Sequence, residues 1–182
     1  MKTVIVFLAD GFEECEGLLA VDLLRRAKLN VVTASVMGRR EITSSHGVTL
    51  LADTLAEEAD FAGADMVVLP GGMPGTVHLG ESPIVADQCR AFAQDKWVAA
   101  ICAAPSVLAS LGLLEGRRAT VYPTFADRMA GAQVTGEPVT VDGNRITGQG
   151  LGAAIPFALT LIRVLAGPEE ADRVAKAICW RG

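Results

Sequence analysis

The stretch Trp97-Val98-Ala99-Ala100-Ile101-Cys102-Ala103-Ala104-Pro105 decides how this chain is read. Trp97 to Ile101 is an apolar run of strand length. Pro105 suits the first turn of a helix continuing through Leu111, because its fixed φ and missing N–H cost nothing there. The change from strand to helix therefore falls at Cys102. A sulfur at that turn lies in the field of unpaired backbone amides, which favours the thiolate and predicts a lowered thiol pKa. Cysteine is also a common small core residue. That alternative gives no reason for the small Ala103 and Ala104 ahead of Pro105, so Cys102 is read as a nucleophile.

Upstream, Lys2 to Ala9 is a β-branched apolar run closed by Asp10-Gly11, and Glu14 to Ala27 carries helical spacing, which together make a βα unit. Asn30 to Val36 reads as the next strand, and Met37 to Asp53 as a turn with short antiparallel strands around Ser44 to Gly47. Asp65 to Leu69 is a buried strand ending in Pro70-Gly71-Gly72, followed by a loop or short helical turn and a helix over about Ser82 to Gln94. Downstream, Ala119 to Tyr122, Gln133 to Val134, Pro138 to Val141 and Arg145 to Thr147 are candidate strands, with Asp142-Gly143-Asn144 as a hairpin turn. Helices over about Gly152 to Leu165 and Pro168 to Cys179 close the chain. The alternation predicts an α/β fold with a mostly parallel sheet between helices, and ligands at the carboxyl ends of its strands. Loops 10–14, 70–75 and 102–105 converge at that edge.

Composition narrows the function. The 182 residues fit one domain, 1–182, with no repeat or linker, and 51% are hydrophobic, mostly aliphatic. A net charge of −5 and a pI near 5.0 argue against nucleic acid, which needs a clustered basic surface. The doublets Arg25-Arg26, Arg39-Arg40 and Arg117-Arg118 sit at element ends and read as solvated turns. Met1 to Ala9 is too short to span a bilayer and lacks a cleavage pattern, so no membrane association is expected. Cysteines 15, 89, 102 and 179 form no Cys-x-x-Cys pair and no zinc-ligand set, so no metal or cofactor is expected and a cytoplasmic protein with free thiols follows. Cys15 is read as helix packing and Cys179 as a core or interface thiol.

Two further features carry chemistry. Glu16 shares a helical stripe with Leu19, Ala20, Leu23 and Ala27, which points its carboxyl at the core. Desolvation there raises its pKa and equips it to donate a hydrogen bond to a thiolate or to relay a proton. Service at the helix N-terminus is the plainer role, but Glu13 and Glu14 already fill it. Gly71 and Gly72 end a buried strand and let the backbone approach a ligand, so the amides of Gly72 and Ala103 are candidate oxyanion donors.

The segments Ala9-Asp10-Gly11-Phe12-Glu13-Glu14-Cys15-Glu16, Val67 to Gly72 and Ala99 to Pro105 resemble the ThiJ/PfpI superfamily, in particular its DJ-one branch of Parkinsonism-associated deglycase and bacterial ThiJ-like proteins. The resemblance covers nearly the whole chain, including Asp22 to Arg26 and the turn Gly148-Gln149-Gly150. It implies a flavodoxin-like or class I glutamine amidotransferase-like three-layer sandwich, usually a homodimer. Its elbow cysteine and protonated glutamate match Cys102 and Glu16, and its oxyanion amides match Gly72 and Ala103. The activities it implies are glutathione-independent conversion of methylglyoxal or glyoxal to hydroxy acids, removal of early glycation adducts, and oxidant sensing. The chain departs from the branch at Tyr122-Pro123, where a histidine often precedes the proline. It departs also at His46, where an arginine often reaches across the dimer, and at Leu151, which replaces a proline. His46 and Tyr122, with Gly71, are pocket candidates.

The leading expectation is a cysteine-dependent enzyme acting on small aldehydes, a glyoxalase III-type lyase or deglycase-like hydrolase. A non-enzymatic redox sensor or chaperone using the same sulfur is the alternative. A PfpI-type protease or amidase is disfavoured because Ala103 stands where those relatives place histidine. A flavodoxin-type carrier is disfavoured because Asp10 to Glu14 would repel a phosphate.

Overall fold

The computed structural model describes all residues, Met1 to Gly182. Strand β1 (Thr3–Leu8) lies inside the sheet, and its alternating side chains seed a core on each face. Val4, Val6 and Leu8 pack on one side with Leu23 and Leu24 of α1 (Glu14–Arg26), Phe157 and Leu161 of α5 (Ala154–Ala166) and Val174 of α6 (Pro168–Ala177). Ile5, Phe7 and Ala9 pack on the other with Val85, Cys89 and Phe92 of α3 (Pro83–Asp95) and Val107 and Leu108 of α4 (Pro105–Ser110). A strand buried on both faces must be apolar throughout, as Val4 to Leu8 is.

Around β1 run β2 (Asn30–Ser35), β5 (Thr54–Leu55), β6 (Met66–Leu69), β7 (Trp97–Ile101), β10 (Val139–Asp142) and β11 (Arg145–Gly148), in the order β10-β11-β7-β6-β1-β2-β5. Every pairing is parallel except β10 with β11, joined by the expected Asp142-Gly143-Asn144 turn. This is the flavodoxin-like α/β sandwich. The chain leaves β1 for β2 on one side and returns to β6 on the other, so the strand order reverses between β1 and β6. Beyond the carboxyl ends of the strands at such a reversal lies a crevice.

The hairpin β3 (Glu41–Thr43) and β4 (Thr49–Leu51) is antiparallel, as expected, and β8 (Arg118–Ala119) pairs with β9 (Gln133–Val134). One sequence assignment changes. The strand expected over Ala119 to Tyr122 stops at Ala119, because the Thr120 N–H donates to Thr147 Oγ1 and the Tyr122 N–H to the Cys102 carbonyl. The segment after Gly72 forms a helix, α2 (Gly75–Glu81), and Pro123–Arg128 is a 3-10 turn. Prolines 83, 105 and 168 open their helices as expected.

The arginine doublets are consumed locally. Arg25 and Arg26 pair with Asp53 and Asp22, Arg39 pairs with Asp10 while Arg40 donates to the Ala52 carbonyl, and Arg117 and Arg118 pair with Asp142 and Glu137. No helix is long and apolar enough to cross a membrane.

Phe157 ties this fold to the sheet edge, being fully buried against Gly148, where any β-carbon would come within 3.0 Å of its ring. Phe157→Ala is expected to lower the unfolding free energy by about 3–5 kcal/mol. Urea denaturation followed by circular dichroism checks this, and an unchanged midpoint would contradict the packing described.

Candidate active site

Cys102 has φ +64°, a left-handed conformation that residues with a β-carbon seldom adopt. Two main-chain hydrogen bonds hold it there. Its N–H donates to the Gly148 carbonyl at 2.9 Å, and its carbonyl accepts the Tyr122 N–H at 2.8 Å. β11 and the segment after β8 thus fix the elbow from outside. The side chain is turned toward the amides of Ala103 and Gly72, which pull its pKa down, and toward the Glu16 carboxyl, which pushes it up.

Glu16 arrives from α1, in the first turn. The Glu13 carboxylate caps that helix by accepting the Glu16 N–H at 2.7 Å, which leaves the Glu16 side chain free to turn inward. It is 2% exposed and accepts the Gly71 N–H at 3.1 Å through Oε2. Gly71 separates the two reactive groups. A β-carbon on it would lie 2.6 Å from the Cys102 β-carbon and 2.6 Å from Glu16 Oε2, so only glycine leaves the thiol and the carboxyl facing each other. Gly72, with φ +92°, has its missing β-carbon aimed at the main chain of Gly11 to Glu13, so the loops after β1 and β6 close on each other there.

Burial pushes the Glu16 carboxyl up to about 7, with the Glu13 charge adding to it and the bonds from Cys102 and Gly71 working against it. The raised value expected for Glu16 is present. The lowered value expected for Cys102 is not: burial, the Glu16 charge and the Glu16 hydrogen bond push the thiol up to about 12, against the pull of the Ala103 and Gly72 amides. Two groups this close titrate as one system, so these values belong to the pair, which keeps one proton between them from about pH 7 to about pH 12. Desolvation and the neighbouring carboxyl, neither of them local to the helix terminus, outweigh its amides.

The other candidates lie apart from this pair. His46 is on the β3–β4 turn with a side chain 70% exposed, and its Nδ1 sits 2.9 Å from Glu14 and 3.2 Å from Ser45 Oγ, not at Cys102 or Glu16. Glu13, Glu14 and His46 bring ligand-type atoms within 4.8 Å of one another as an ion-paired cluster at the start of α1. Tyr122 reaches Cys102 through its main chain, while its ring lies against Gly150 and, with Pro123, Pro138 and Leu151, walls an open cavity of about 420 Å³. Cys15 and Cys179 are exposed, which corrects the reading of Cys15 as helix packing and of Cys179 as a core thiol, and Cys89 is buried in the α3 core. Sequence reasoning did not assign the Gly148 carbonyl or Ser106, whose Oγ donates to the Ala103 carbonyl at 2.6 Å. The Gly148-Gln149-Gly150 turn was visible as a motif, but its partner was a main-chain atom that no residue type signals.

With this geometry in hand, comparison with known proteins gives the lineage. The profile of the DJ-1/PfpI family matches residues 2–164. The chain belongs to the DJ-1/PfpI family. It is 39% identical over 180 residues to protein dj-1beta of Drosophila melanogaster, covering 97% of this chain and 96% of that one. It is 33% identical over 165 residues to the protein named deglycase TK1284 of Thermococcus kodakarensis, covering 89% of this chain and 98% of the relative. The structure of oxidized Toxoplasma gondii DJ-1 superposes with a TM-score of 0.96 at 35% identity, over 100% of both chains.

Because the folded pair keeps its second proton up to about pH 7 and an ordinary carboxyl only to about 4.5, the native state holds the extra proton between those values. Stability conferred by that proton is present below about 4.5 and lost as pH rises through 7. Glu16→Gln, which has no carboxyl to ionise when the chain unfolds, is therefore expected to stabilise the chain at pH 8 by on the order of 3 kcal/mol. The gain should vanish in denaturant titrations at low pH, and a gain of equal size at both pH values would contradict the assignment.

Proposed function

We propose that this DJ-1/PfpI chain is a cysteine-dependent enzyme of small reactive aldehydes, converting 2-oxoaldehydes such as glyoxal and methylglyoxal to 2-hydroxy acids without glutathione. Removal of early glycation adducts is a related activity of the same site. The observation that carries this reading is the thiol and the buried carboxyl facing each other across Gly71, with the Gly72 and Ala103 amides on the sulfur's side of the pair.

Where the shared proton rests follows from counting donors. Charge on sulfur is met by the Gly72 and Ala103 amides and a Glu16 O–H, whereas charge on Glu16 is met by the Gly71 amide and an S–H. Two neutral amides against one favour the thiolate beside a carboxylic acid. The sulfur adds to the aldehyde carbon, and Glu16 protonates the new oxygen to give a hemithioacetal. The same carboxylate moves a proton from the aldehyde-derived carbon to the neighbouring one, oxidising the first as it reduces the second. The resulting thioester takes up water and releases the 2-hydroxy acid and the thiol. Each oxygen that gains charge does so beside the oxyanion amides.

A PfpI-type protease reading finds no base. His46 is held by Glu14, and His78 Nδ1 lies 2.9 Å from the Asp10 carbonyl. Oxidant sensing through Cys102 is favoured by one observation, the oxidized form of the Toxoplasma relative, and uses the same ionised sulfur. A homodimer belongs to the same reading, and the chain leaves large apolar side chains exposed, Leu51 and Leu151 among them. The reading carries with it one functional domain over 1–182 and a cytoplasmic setting.

Thiolate absorbance at 240 nm is expected to rise through about pH 7, and a rise only near pH 12 would put the charge on Glu16 and reverse the roles. Cys102→Ser should cut methylglyoxal consumption by at least about a thousandfold, and Glu16→Gln by about a hundredfold, mainly in kcat. Full activity in the serine variant would end the proposal.

A further inference from the structure

A second concavity, of about 230 Å³, lies between α2 and α4 and is lined by Met73, Thr76, Ser106, Ser110, Phe125 and Arg128, among others. It adjoins the Cys102 site through main-chain bonds. The Thr76 N–H donates to the Gly72 carbonyl at 2.9 Å, and Ser106 Oγ donates to the Ala103 carbonyl at 2.6 Å. Its walls are thus anchored to the two residues whose amides face the sulfur, and Met73 directly follows Gly72.

Two of its polar groups, Thr76 and Arg128, are unspent. Thr76 is 5% exposed, and its Oγ1 is buried with no hydrogen-bond partner, a state that costs on the order of 1–3 kcal/mol and that folding alone does not explain. Arg128 takes part in none of the ion pairs of the chain. Its guanidinium lies over the Phe125 ring, 4.7 Å from the centroid, which fixes its plane and leaves its edge N–H groups free. No carboxylate lines the concavity, although the chain carries a net charge of −5. Ser106 and Ser110 already donate their protons to main-chain carbonyls, so the charged donor offered to a ligand is Arg128. A planar anion with two oxygens matches that fork, and the volume is below the roughly 300–1,000 Å³ of drug-sized pockets, so it takes a small group.

We propose that this groove is a carboxylate subsite of the Cys102 site, with Arg128 as its anion-binding residue and Thr76 at its floor, and that the preferred substrates are 2-oxoaldehydes bearing a carboxylate tail. The proposal rests on the aldehyde chemistry assigned to Cys102 and names its substrate class. The reaction is unchanged and balanced: R–CO–CHO plus water gives R–CH(OH)–COOH, the aldehyde carbon being oxidised and the ketone carbon reduced, with no external oxidant. The overall negative charge repels anions, so a preference for a carboxylate has to come from a local cation.

The test compares kcat/KM for 4,5-dioxopentanoate, which would yield 2-hydroxyglutarate, with that for its methyl ester. The wild-type protein should favour the acid by at least about tenfold, chiefly through KM, and Arg128→Gln should bring the ratio to within about twofold of one. Thr76→Val should lower the ratio less. High salt should shrink the wild-type preference. A second readout needs no turnover: protection of Cys102 from iodoacetamide by the acid should exceed protection by the ester, and Arg128→Gln should abolish the difference. Equal ratios in the wild type and the variant, or equal protection by acid and ester, overturn the subsite while leaving the Cys102 reading intact. Loss of turnover on every 2-oxoaldehyde with charge-selective protection retained overturns the aldehyde reading instead.

Discussion

One buried negative charge, shared between a sulfur and a carboxyl group, is the constraint around which the rest is arranged. Taking such a charge out of water is costly, and the chain offsets it with main-chain donors from two loops and a helix. Each donor needs its own backbone condition. Cys102 must adopt a left-handed conformation, Gly71 must lack a β-carbon, and Gly72 must pass against the loop after β1. The sheet supplies these conditions at one place because β1, β6 and β7 are adjacent and parallel and end together.

This explains why the pair sits where the strand order reverses. Helix α1 leaves β1 and lays Glu16 over the crevice, while β6 and β7 deliver Gly71 and Cys102 from the other half of the sheet. The outer strand β11 contributes nothing reactive but secures the elbow with one carbonyl. Remote packing and local chemistry are thereby coupled: Phe157 holds Gly148, Gly148 holds Cys102, and Cys102 faces Glu16. Membership in the DJ-1/PfpI family fits this division of labour, since the motifs that carry the resemblance are the three loops that meet here.

Much of this was legible in the sequence. The apolar runs, the prolines opening helices and the alternation of strands with helices gave the sheet and its ligand edge, and the stripe containing Glu16 put a carboxyl in the core. What escaped depended on partners rather than patterns. The segment Thr120 to Tyr122 has strand-like composition, but its amides are committed to Thr147 and Cys102, so it cannot join a ladder. A low thiol follows from the local amides, which are legible along the chain, whereas the Glu16 carboxyl reaches the sulfur only through the fold. Its actual balance needs three-dimensional proximity. Thr76 and Arg128 carry no motif at all and acquire meaning only from the space they enclose.

The borders of the main sheet have a consequence for how the chain behaves in a crowded solution. On one side the sheet ends in β5, only two residues long. On the other it ends in the short β10, where the Asp142 carboxylate accepts the Arg118 N–H and Thr140 Oγ1 is hydrogen-bonded to Thr135. Neither border offers a long, flat row of free amides and carbonyls on which a stranger's backbone would align. A chain rich in aliphatic residues is in this way discouraged from growing into fibrils, even though its interior strands, if laid bare, have the composition to do so.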